Sequence, residues 1–298
     1  MEKEINRVSI ILTTRNTSKY IRLSVESLRK DKFNDNFEII IMDDNSKDGT
    51  KAWLKYYADK LNFKYVTHNK PKRKGLMILT EEALKIAKND IVFLGHSDMG
   101  YGKDCIKNLL KYMKPKTVVC STRIEPPIYP EESIRYTRDY GNTADEFKLE
   151  EFEKEVERLK KDVLTEGVFA PTMINKKDFY DINGYDKEFI PNSREDSDLF
   201  YRLAKNGVKF YQSWSSIVYH FSGKGSRKKD SLKDSEEWQK TNYKNTRNFI
   251  RIYGELPNHL DKQPIVKDKI KLTLCVATHN DEDRISNFLE IHELSLMK

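Results

Sequence analysis

An apolar strand followed by a polar turn and an amphipathic helix recurs through the first hundred residues, and this alternation limits the fold more than any other feature. The segments 8–13 (VSIILT), 38–42 (EIIIM) and 91–94 (IVFL) are short, nearly continuous apolar runs rich in β-branched residues. After the first of them, Ile21 and Val25 follow at helical spacing. Such strands are typical of parallel sheets buried on both faces. We therefore predict an α/β fold, with a mostly parallel central sheet and helices on both faces.

Each of these predicted strands ends in a polar cluster. The clusters are residues 13–16 (TTRN), 43–46 (DDNS) and 95–98 (GHSD). Ligands of open α/β sheets bind outside the carboxyl ends of the strands, so we expect the three clusters to converge at one edge of the sheet. Asp43 and Asp44 can bind a base, a ribose or a metal there, although Asp is also a common turn and capping residue.

Further positions carry side chains suited to catalysis or metal binding. Asp98 offers the hard oxygen ligand that divalent cations prefer, and His96 beside it is either a second ligand or a loop histidine. Glu195 and Asp196 directly precede an apolar helical face. One of them can cap that helix while the other acts as a general base in a cleft. His220 follows a short predicted strand and is either a metal ligand or a packed side chain.

Basic residues slightly outnumber acidic ones along the chain. The 298 residues include 54 Lys and Arg against 47 Asp and Glu, a net charge of +7. Basic residues cluster at 70–74 and 224–229. Such clusters suit nucleic acid, the phosphates of a small substrate, an anionic membrane surface or plain solvated surface. Nucleic acid is disfavoured, because the clusters lack the interleaved aromatic residues that stack on bases.

The distribution of apolar residues and the small number of cysteines indicate the cellular compartment of the protein. No stretch approaches the roughly 20 apolar residues that span a bilayer. The first residues lack the basic start and apolar run of a signal peptide. Three cysteines are too few and too scattered for a disulfide framework or a zinc cluster. We expect a cytoplasmic protein, with peripheral contact to the inner face of the membrane left open and no sequence signal for an oligomeric state.

Four segments, taken together and in order, resemble one enzyme family. They are 8–16 (VSIILTTRN), 37–50 (FEIIIMDDNSKDGT), 89–99 (NDIVFLGHSDM) and 182–210, which contains INGYDKEF and REDSDLFYRLAKNGVKF. The second is close to an Asp-Asp-x-Ser-x-Asp-Gly-Thr motif, the third lies where that family carries an Asp-x-Asp motif, and the fourth contains its Glu-Asp pair. This set resembles the family-2 glycosyltransferases with the GT-A fold, over roughly residues 5–225.

The resemblance implies a nucleotide site built from the first three segments and the basic cluster. The implied nucleotide-binding residues are Thr13, Thr14, Arg15, Asn16, Asp43, Asp44, Ser46, Arg73 and Lys74. Within this set, Thr13 and Asp44 would contact the base. Arg73 or Lys74 would approach the diphosphate.

The resemblance also implies a metal and a base. Asp98 would hold Mg²⁺ or Mn²⁺ between the two phosphates, with His220 and His96 as further candidate ligands. Asp196 would be the catalytic base, with Glu195 beside it. The family's Asp-x-Asp motif is not intact, because one of its two carboxylates is missing here. A catalytically weakened nucleotide- or sugar-binding module of the same fold is therefore a second hypothesis.

The implied reaction is the transfer of a sugar by a single displacement. The donor would be a nucleoside-diphosphate sugar, with a UDP-sugar favoured, and the acceptor a hydroxyl group of a glycan, a lipid-linked glycan or a protein. The base takes the proton of the acceptor hydroxyl as it attacks the anomeric carbon, and the configuration inverts. The metal neutralises the charge that develops on the departing diphosphate.

Three segments are expected along the chain. Residues 1–225 would form the GT-A domain, and 226–268 a helical segment and linker. Residues 269–298 would form the first strand-helix unit of a second, truncated domain of the same kind. The last expectation rests on a repeat, because 272–280 (LTLCVATHN) repeats the pattern of 8–16 (VSIILTTRN).

Overall fold

A mixed sheet forms the centre of the computed structural model, which describes residues 7–31, 33–127, 135–222, 224, 235–254 and 256. In these ranges the strands are β1 (Val8–Thr14), β2 (Phe37–Asp43), β3 (Phe63–Thr67), β4 (Ile91–His96), β5 (Met99–Tyr101), β6 (Thr117–Glu125), β7 (Arg135–Thr137), β8 (Leu164–Glu166), β9 (Thr172–Asn175) and β10 (Lys209–His220). The α-helices are α1 (Ser18–Arg29), α2 (Thr50–Tyr57), α3 (Leu76–Ile86), α4 (Cys105–Leu110), α5 (Leu149–Leu159), α6 (Lys176–Asp181), α7 (Glu195–Lys205) and α8 (Glu236–Tyr253). Single 3₁₀ turns cover Asn34–Asn36 and Lys187–Phe189.

The sheet is parallel in its N-terminal half and mixed in its second half. Its strands follow the order β3-β2-β1-β4-β9-β6-β10-β5, with β7 beside β6 and β8 beside β10. β1 is parallel to β2 and to β4, and β2 is parallel to β3. β9 is antiparallel to both of its neighbours, whereas β6 and β10 are parallel. The predicted parallel arrangement of the first three apolar strands is confirmed.

The side chains of β1 point alternately into two hydrophobic clusters. Ile10 and Leu12 pack in one cluster with Ile21 and Val25 of α1. Ile11 packs in the other cluster, which includes residues of α3 and α7. Successive side chains of a strand point to opposite faces, so helices cover both faces of the sheet at β1. This explains why the segment is apolar throughout.

A third hydrophobic cluster packs the segment between β7 and β8 against the end of β10. Phe152 and Val156 of α5 belong to it, together with Tyr219 and Phe221. The rings of Phe152 and Tyr219 lie 6.0 Å apart, and those of Tyr219 and Phe221 5.0 Å apart in an edge-to-face arrangement. Because Tyr219 and Phe221 flank His220, this packing fixes the end of the strand that carries a candidate ligand.

The last described helix, α8, packs against the segment before α7. It begins after Ser235, whose Oγ accepts a hydrogen bond from the Trp238 N–H at 3.3 Å. It ends at Gly254, whose φ of 71° is the left-handed conformation that glycine adopts readily at helix ends. On its buried side, Phe249 contacts the rings of Phe189 and Tyr201.

α8 lies in the segment 226–268, for which a helix was expected. Most of the rest of that segment, and residues 269–298 with their repeated pattern, lie outside the described residues. Within the part of the chain that the structure describes, none of the helices has both the length and the apolar character to cross a bilayer.

We expect the Phe93→Ala substitution to lower the free energy of unfolding by about 3–5 kcal/mol, because it leaves a cavity at a fully buried position of β4. Equilibrium unfolding in urea measures this change. The control is Ile86→Ala at the end of α3, where the side chain is 45% exposed and the change should stay within about 0.5 kcal/mol. Equal losses in the two variants would contradict the assignment of Phe93 to the core.

Candidate active site

The polar clusters at the strand ends meet at one edge of the sheet, as the sequence predicts. Thr14 of β1 pairs with Asp43 of β2, and Thr13 pairs with His96 of β4. This edge borders a cleft of about 650 Å³. The predicted site residues that line the cleft are Thr13, Thr14, Arg15, Asp44, Arg73, His96, Asp98, Glu195, Asp196 and His220. The predicted residues outside its lining are Asn16, Asp43, Ser46 and Lys74.

Asn16, Asp43 and Ser46 tie the turns after β1 and β2 together. The Asn16 N–H donates to Ser46 Oγ at 2.8 Å, and the Ser46 N–H donates to Asp43 Oδ1 at 3.2 Å. Asn16 has a left-handed backbone with φ of 53°. Burial raises the pKa of Asp43, although the hydrogen bonds from Ser46 oppose this rise. The three residues therefore shape the turns beside the cleft.

Asp44 anchors the turn that precedes α3. Its Oδ1 accepts from the Lys74 N–H at 3.0 Å, and its Oδ2 accepts from the Gly75 N–H at 3.1 Å. The Arg73 Nε atom lies 3.6 Å from the same Oδ2. The Lys74 ammonium instead pairs with Glu82 at 2.6 Å. Of the two residues predicted to approach a diphosphate, Arg73 alone lines the cleft.

His96, Asp98 and His220 form a compact cluster in which one candidate ligand atom of each lies within 4.8 Å of the others. β5 pairs antiparallel with the end of β10 and sets His220 opposite Met99, the residue after Asp98. The Tyr101 hydroxyl accepts from the His96 N–H at 3.0 Å and donates to the His96 carbonyl at 2.8 Å. The histidine pair thus stands beside the single carboxylate of the incomplete Asp-x-Asp motif.

Glu125, at the end of β6, contacts the His220 ring on the side away from Asp98. The sequence analysis did not predict this residue. The His220 Nδ1 atom lies 2.7 Å from Glu125 Oε1. Arg135 donates to Oε2 at 2.7 Å, and the Arg123 guanidinium lies 3.6 Å from Oε1. Burial tends to raise the pKa of Glu125, but the His220 hydrogen bond and the two arginine charges hold it well below its usual range.

The ionised Glu125 determines which nitrogen of His220 faces the cluster. A carboxylate can only accept hydrogen bonds, so the proton of the bond lies on His220 Nδ1. The other nitrogen, Nε2, lies 3.8 Å from Asp98 Oδ2. A carboxylate on the far nitrogen of a histidine is the usual outer support of a histidine that ligates a metal.

The donor set fits a divalent cation. Imidazole nitrogen and carboxylate oxygen both bind first-row divalent metals. Burial lowers the pKa of His96 to about 4, with help from His220 and Arg123 and against the effect of Asp98. His96 is therefore neutral at pH 7, and neutral imidazole is the form that binds a metal. His96, Asp98 and His220 are the residues that would hold such an ion.

Glu195 and Asp196 are the first two residues of α7 and line the cleft. Asp196 Oδ1 accepts from the Ser197 N–H at 2.8 Å. The Oε2 atom of Glu195 is buried, with no hydrogen-bond partner among the residues that the structure describes. Burial and the adjacent Asp196 carboxylate raise the pKa of Glu195 to about 8. Glu195 thus carries a proton at neutral pH.

Two of the parts of the cleft wall that the sequence analysis missed form ion pairs within the lining. One is the group of Glu125 with its arginines, although the segment 117–125 (TVVCSTRIE) shows the same pattern of an apolar run closed by polar residues. The other is the N-terminal half of α8, including Glu237 and Trp238. Glu237 lies 3.3 Å from Arg73. Nothing in the local pattern of that helix distinguishes these side chains from ordinary solvated ones.

Comparison with known proteins identifies the family. The family model described as glycosyl transferase family 2 matches residues 9–182, which is more than half of the chain. The chain belongs to glycosyl transferase family 2. A second model, described as N-terminal domain of galactosyltransferase, matches residues 154–222. This range contains the Glu195–Asp196 pair and His220.

One similar curated protein is the chondroitin synthase of Pasteurella multocida (strain Pm70). It is 24% identical over 309 residues, which cover 92% of this chain and 31% of that protein. The chain therefore spans about a third of the length of this relative. This likeness agrees with the family match.

Solved structures share the fold. GalNAc-T7, crystallised with UDP, GalNAc and Mn²⁺, superposes with a TM-score of 0.55 at 16% identity, over 72% of this chain and 43% of that chain. S. aureus TarS 1-349 in complex with UDP gives a TM-score of 0.52 at 18% identity, over 72% of this chain and 60% of that chain. These likenesses confirm the predicted α/β architecture of the GT-A type.

We expect the Glu195→Gln substitution to remove a pH dependence of stability. The pKa of about 8 in the folded protein exceeds the ordinary value of 4.5, so the unfolded chain loses a proton that the folded protein retains. The wild-type free energy of unfolding therefore falls as the pH rises from about 5 to 8. The Glu195→Gln variant lacks this titration, so its stability relative to the wild type increases over the same range.

Urea unfolding at both pH values measures this difference. The control is Glu153→Gln at an exposed position of α5, which should follow the wild type. A constant difference between Glu195→Gln and the wild type would contradict a protonated Glu195.

We expect the Glu125→Gln substitution to weaken Mn²⁺ binding about 10- to 100-fold, because it weakens the support of His220 Nδ1. Calorimetric titration of the protein with Mn²⁺ measures the affinity. The control is Glu82→Gln, which removes an ion pair with Lys74 outside the cleft lining and should leave Mn²⁺ affinity unchanged. Equal affinity in Glu125→Gln and the wild type would contradict the supporting role of Glu125.

Proposed function

We propose that the chain is an inverting glycosyltransferase that moves a sugar from a nucleoside-diphosphate sugar to an acceptor hydroxyl group. The observation that carries the proposal is that Glu195 and Asp196 line the same cleft as Thr13 and Asp44 at the strand ends. The cleft thus holds a candidate base together with side chains suited to a nucleotide. A direct transfer needs both in one cavity, because the reacting groups must meet without an intermediate carrier.

Asp196 is the proposed base. A general base must be ionised at the working pH. The pKa of about 8 keeps Glu195 protonated at neutral pH, which leaves this role to Asp196. The Asp196 carboxylate takes the proton of the acceptor hydroxyl while its oxygen bonds to the anomeric carbon and the bond from that carbon to the diphosphate breaks. Attack opposite the leaving group inverts the configuration.

The proposed donor is a UDP-sugar. GalNAc-T7 and TarS were both crystallised with UDP, which supports this nucleotide. Arg73 lines the cleft, as does Arg15, whose Nε atom is buried without a hydrogen-bond partner among the described residues. Both cations are suited to the charge of a diphosphate, which grows as the donor bond breaks.

His96, Asp98 and His220 are the proposed holders of Mg²⁺ or Mn²⁺. The Mn²⁺ bound in the GalNAc-T7 structure supports a divalent ion of this class. When bound, such an ion supplies Lewis-acid stabilisation of the leaving diphosphate. The contribution of the chain itself is a neutral His96 and a His220 whose orientation Glu125 fixes.

The proposed acceptor is a glycan in polysaccharide biosynthesis, with lipid-linked glycans and proteins as the alternatives. The likeness to a chondroitin synthase supports a glycan acceptor. We place the reaction in the cytoplasm. The free, buried thiols of Cys105 and Cys120 agree with a reducing compartment.

A panel of UDP-, GDP- and dTDP-sugars, each with and without Mn²⁺, tests the proposal through release of the nucleoside diphosphate and transfer to glycan acceptors. Turnover of one donor that requires the metal is the expected result. Nucleotide binding without any turnover would instead favour the second hypothesis, a binding module of the same fold. The absence of any nucleotide binding in calorimetry would contradict both.

We expect Asp196→Asn to lower kcat about 100- to 10,000-fold, the usual contribution of a general base, with the Kd of the nucleotide unchanged. Initial rates and nucleotide titrations measure the two quantities. Asp181→Asn, at an exposed position paired with Lys177 and Lys116 outside the cleft lining, is the control and should retain the wild-type rate. Full activity of Asp196→Asn would exclude it as the base.

A further inference from the structure

We propose that Asn245, on α8, is a positioning residue that fixes the loop carrying the Glu195–Asp196 pair. The proposal rests on the proposed function, in which Asp196 is the base. Asn245 lies outside the cleft lining, so it would act through the loop and not through contact with substrate. Its role is inferred from its hydrogen bonds, from the backbone that it holds and from its own unfavourable burial.

Asn245 spans the loop with one amide group. The residue is fully buried, and its Nδ2 atom donates to the carbonyls of Phe189 and Asn192 at 2.8 Å each and of Ser193 at 3.0 Å. An amide nitrogen has two hydrogens, so the three carbonyls share them. The last of these carbonyls lies two residues before Glu195. One side chain thus holds the loop of residues 189–193, which leads into α7.

The clamped loop has a backbone that needs outside support. Ser193 and Arg194 have φ of 74° and 65°, which is the left-handed region in two consecutive residues other than glycine. Such conformations persist only where the surrounding structure holds them. They turn the chain so that α7 begins at Glu195, with the carboxyl pair at the cleft. Loss of the Asn245 hydrogen bonds would therefore let the loop change conformation and move the Asp196 carboxylate.

Two more side chains of α8 hold the same loop. Asn242 Oδ1 accepts from the Ser193 hydroxyl at 2.7 Å, and Thr246 Oγ1 accepts from Arg194 Nε at 3.0 Å. Residues 242, 245 and 246 are spaced so that they lie on one face of a helix. The side chains on this face of α8 thus form hydrogen bonds with the two left-handed residues and with the carbonyls of the loop.

The asparagine at this position is explained by what its amide nitrogen donates to. The Oδ1 atom of Asn245 is buried without a hydrogen-bond partner among the described residues, which is unfavourable for a polar group. Phe249, one turn further along α8, packs in an aromatic cluster with Phe189 and Tyr201. An apolar side chain at 245 could extend this cluster without a buried unpaired oxygen, but it would leave the three loop carbonyls without this donor. The N–H groups of the amide therefore explain why asparagine occupies this position, because they hold the loop before α7.

The test compares Asn245→Ala with Asn248→Ala. Asn248 lies on the same helix, and its Nδ2 donates to the Glu188 carbonyl at 3.1 Å, ahead of the clamped loop and outside the cleft lining. We expect Asn245→Ala to lower kcat about 100-fold, as a small misplacement of a reacting group does, with the KM of the donor and the Kd of the nucleotide within about twofold of wild type. Asn248→Ala should keep all three values.

A second variant and a second measurement guard against a simple loss of folding. Asn245→Asp has no donors for the three carbonyls, so its kcat should fall below that of Asn245→Ala. Amide hydrogen exchange should quicken in peptides covering residues 190–198 in both Asn245 variants and stay unchanged in Asn248→Ala. Thermal unfolding of all variants confirms that the rates are measured on folded protein.

Two results would overturn the proposal. One is a wild-type kcat in Asn245→Ala, whether or not the KM of the donor rises or the unfolding temperature falls, because the side chain would then be merely structural. The other is unchanged exchange over residues 190–198. Failure of the proposed function has a different signature, since the wild-type protein would then turn over no nucleotide sugar while the exchange comparison still reports on the loop.

Discussion

Burial of the central strands on both faces is the constraint on which the rest of the molecule depends. β1 has Ile10 and Leu12 in one hydrophobic cluster and Ile11 in the other. A strand enclosed in this way has no solvent-facing side along its length, so polar side chains are confined to its ends. The parallel register of β1 with β2 and β4 then aligns those ends at one edge. The candidate active site is the consequence.

Buried carboxyl groups near the cleft are either paired with cationic side chains or kept neutral by a proton. Glu125 is ionised because His220 and two arginines surround it. The Oε2 atom of Glu195 has no such partner among the residues that the structure describes, and burial beside Asp196 keeps the group neutral. A buried carboxyl group without a cationic partner avoids the cost of a buried charge by keeping its proton.

Features encoded by contiguous residues could be predicted from the sequence. The apolar runs predicted the central strands, and the motif at 37–50 predicted the family, because each signal lies within one short segment. Glu125 could not be predicted in the same way. Its contact with His220 depends on the pairing of β6 with β10, whose register shifts between Ser213 and Ile217. A register between strands so far apart in the chain leaves no local pattern, and the same holds for Asn245 and the loop before α7.

The antiparallel pairing of β5 with β10 has a thermodynamic consequence. It joins His220 to His96 and Asp98, which belong to the N-terminal half of the chain. In the unfolded ensemble these groups are separated by a long, flexible stretch, so the three-residue arrangement exists only in the folded state. A cation held there would bind the native protein and not the denatured chain, and by mass action its concentration would set part of the stability of the whole domain.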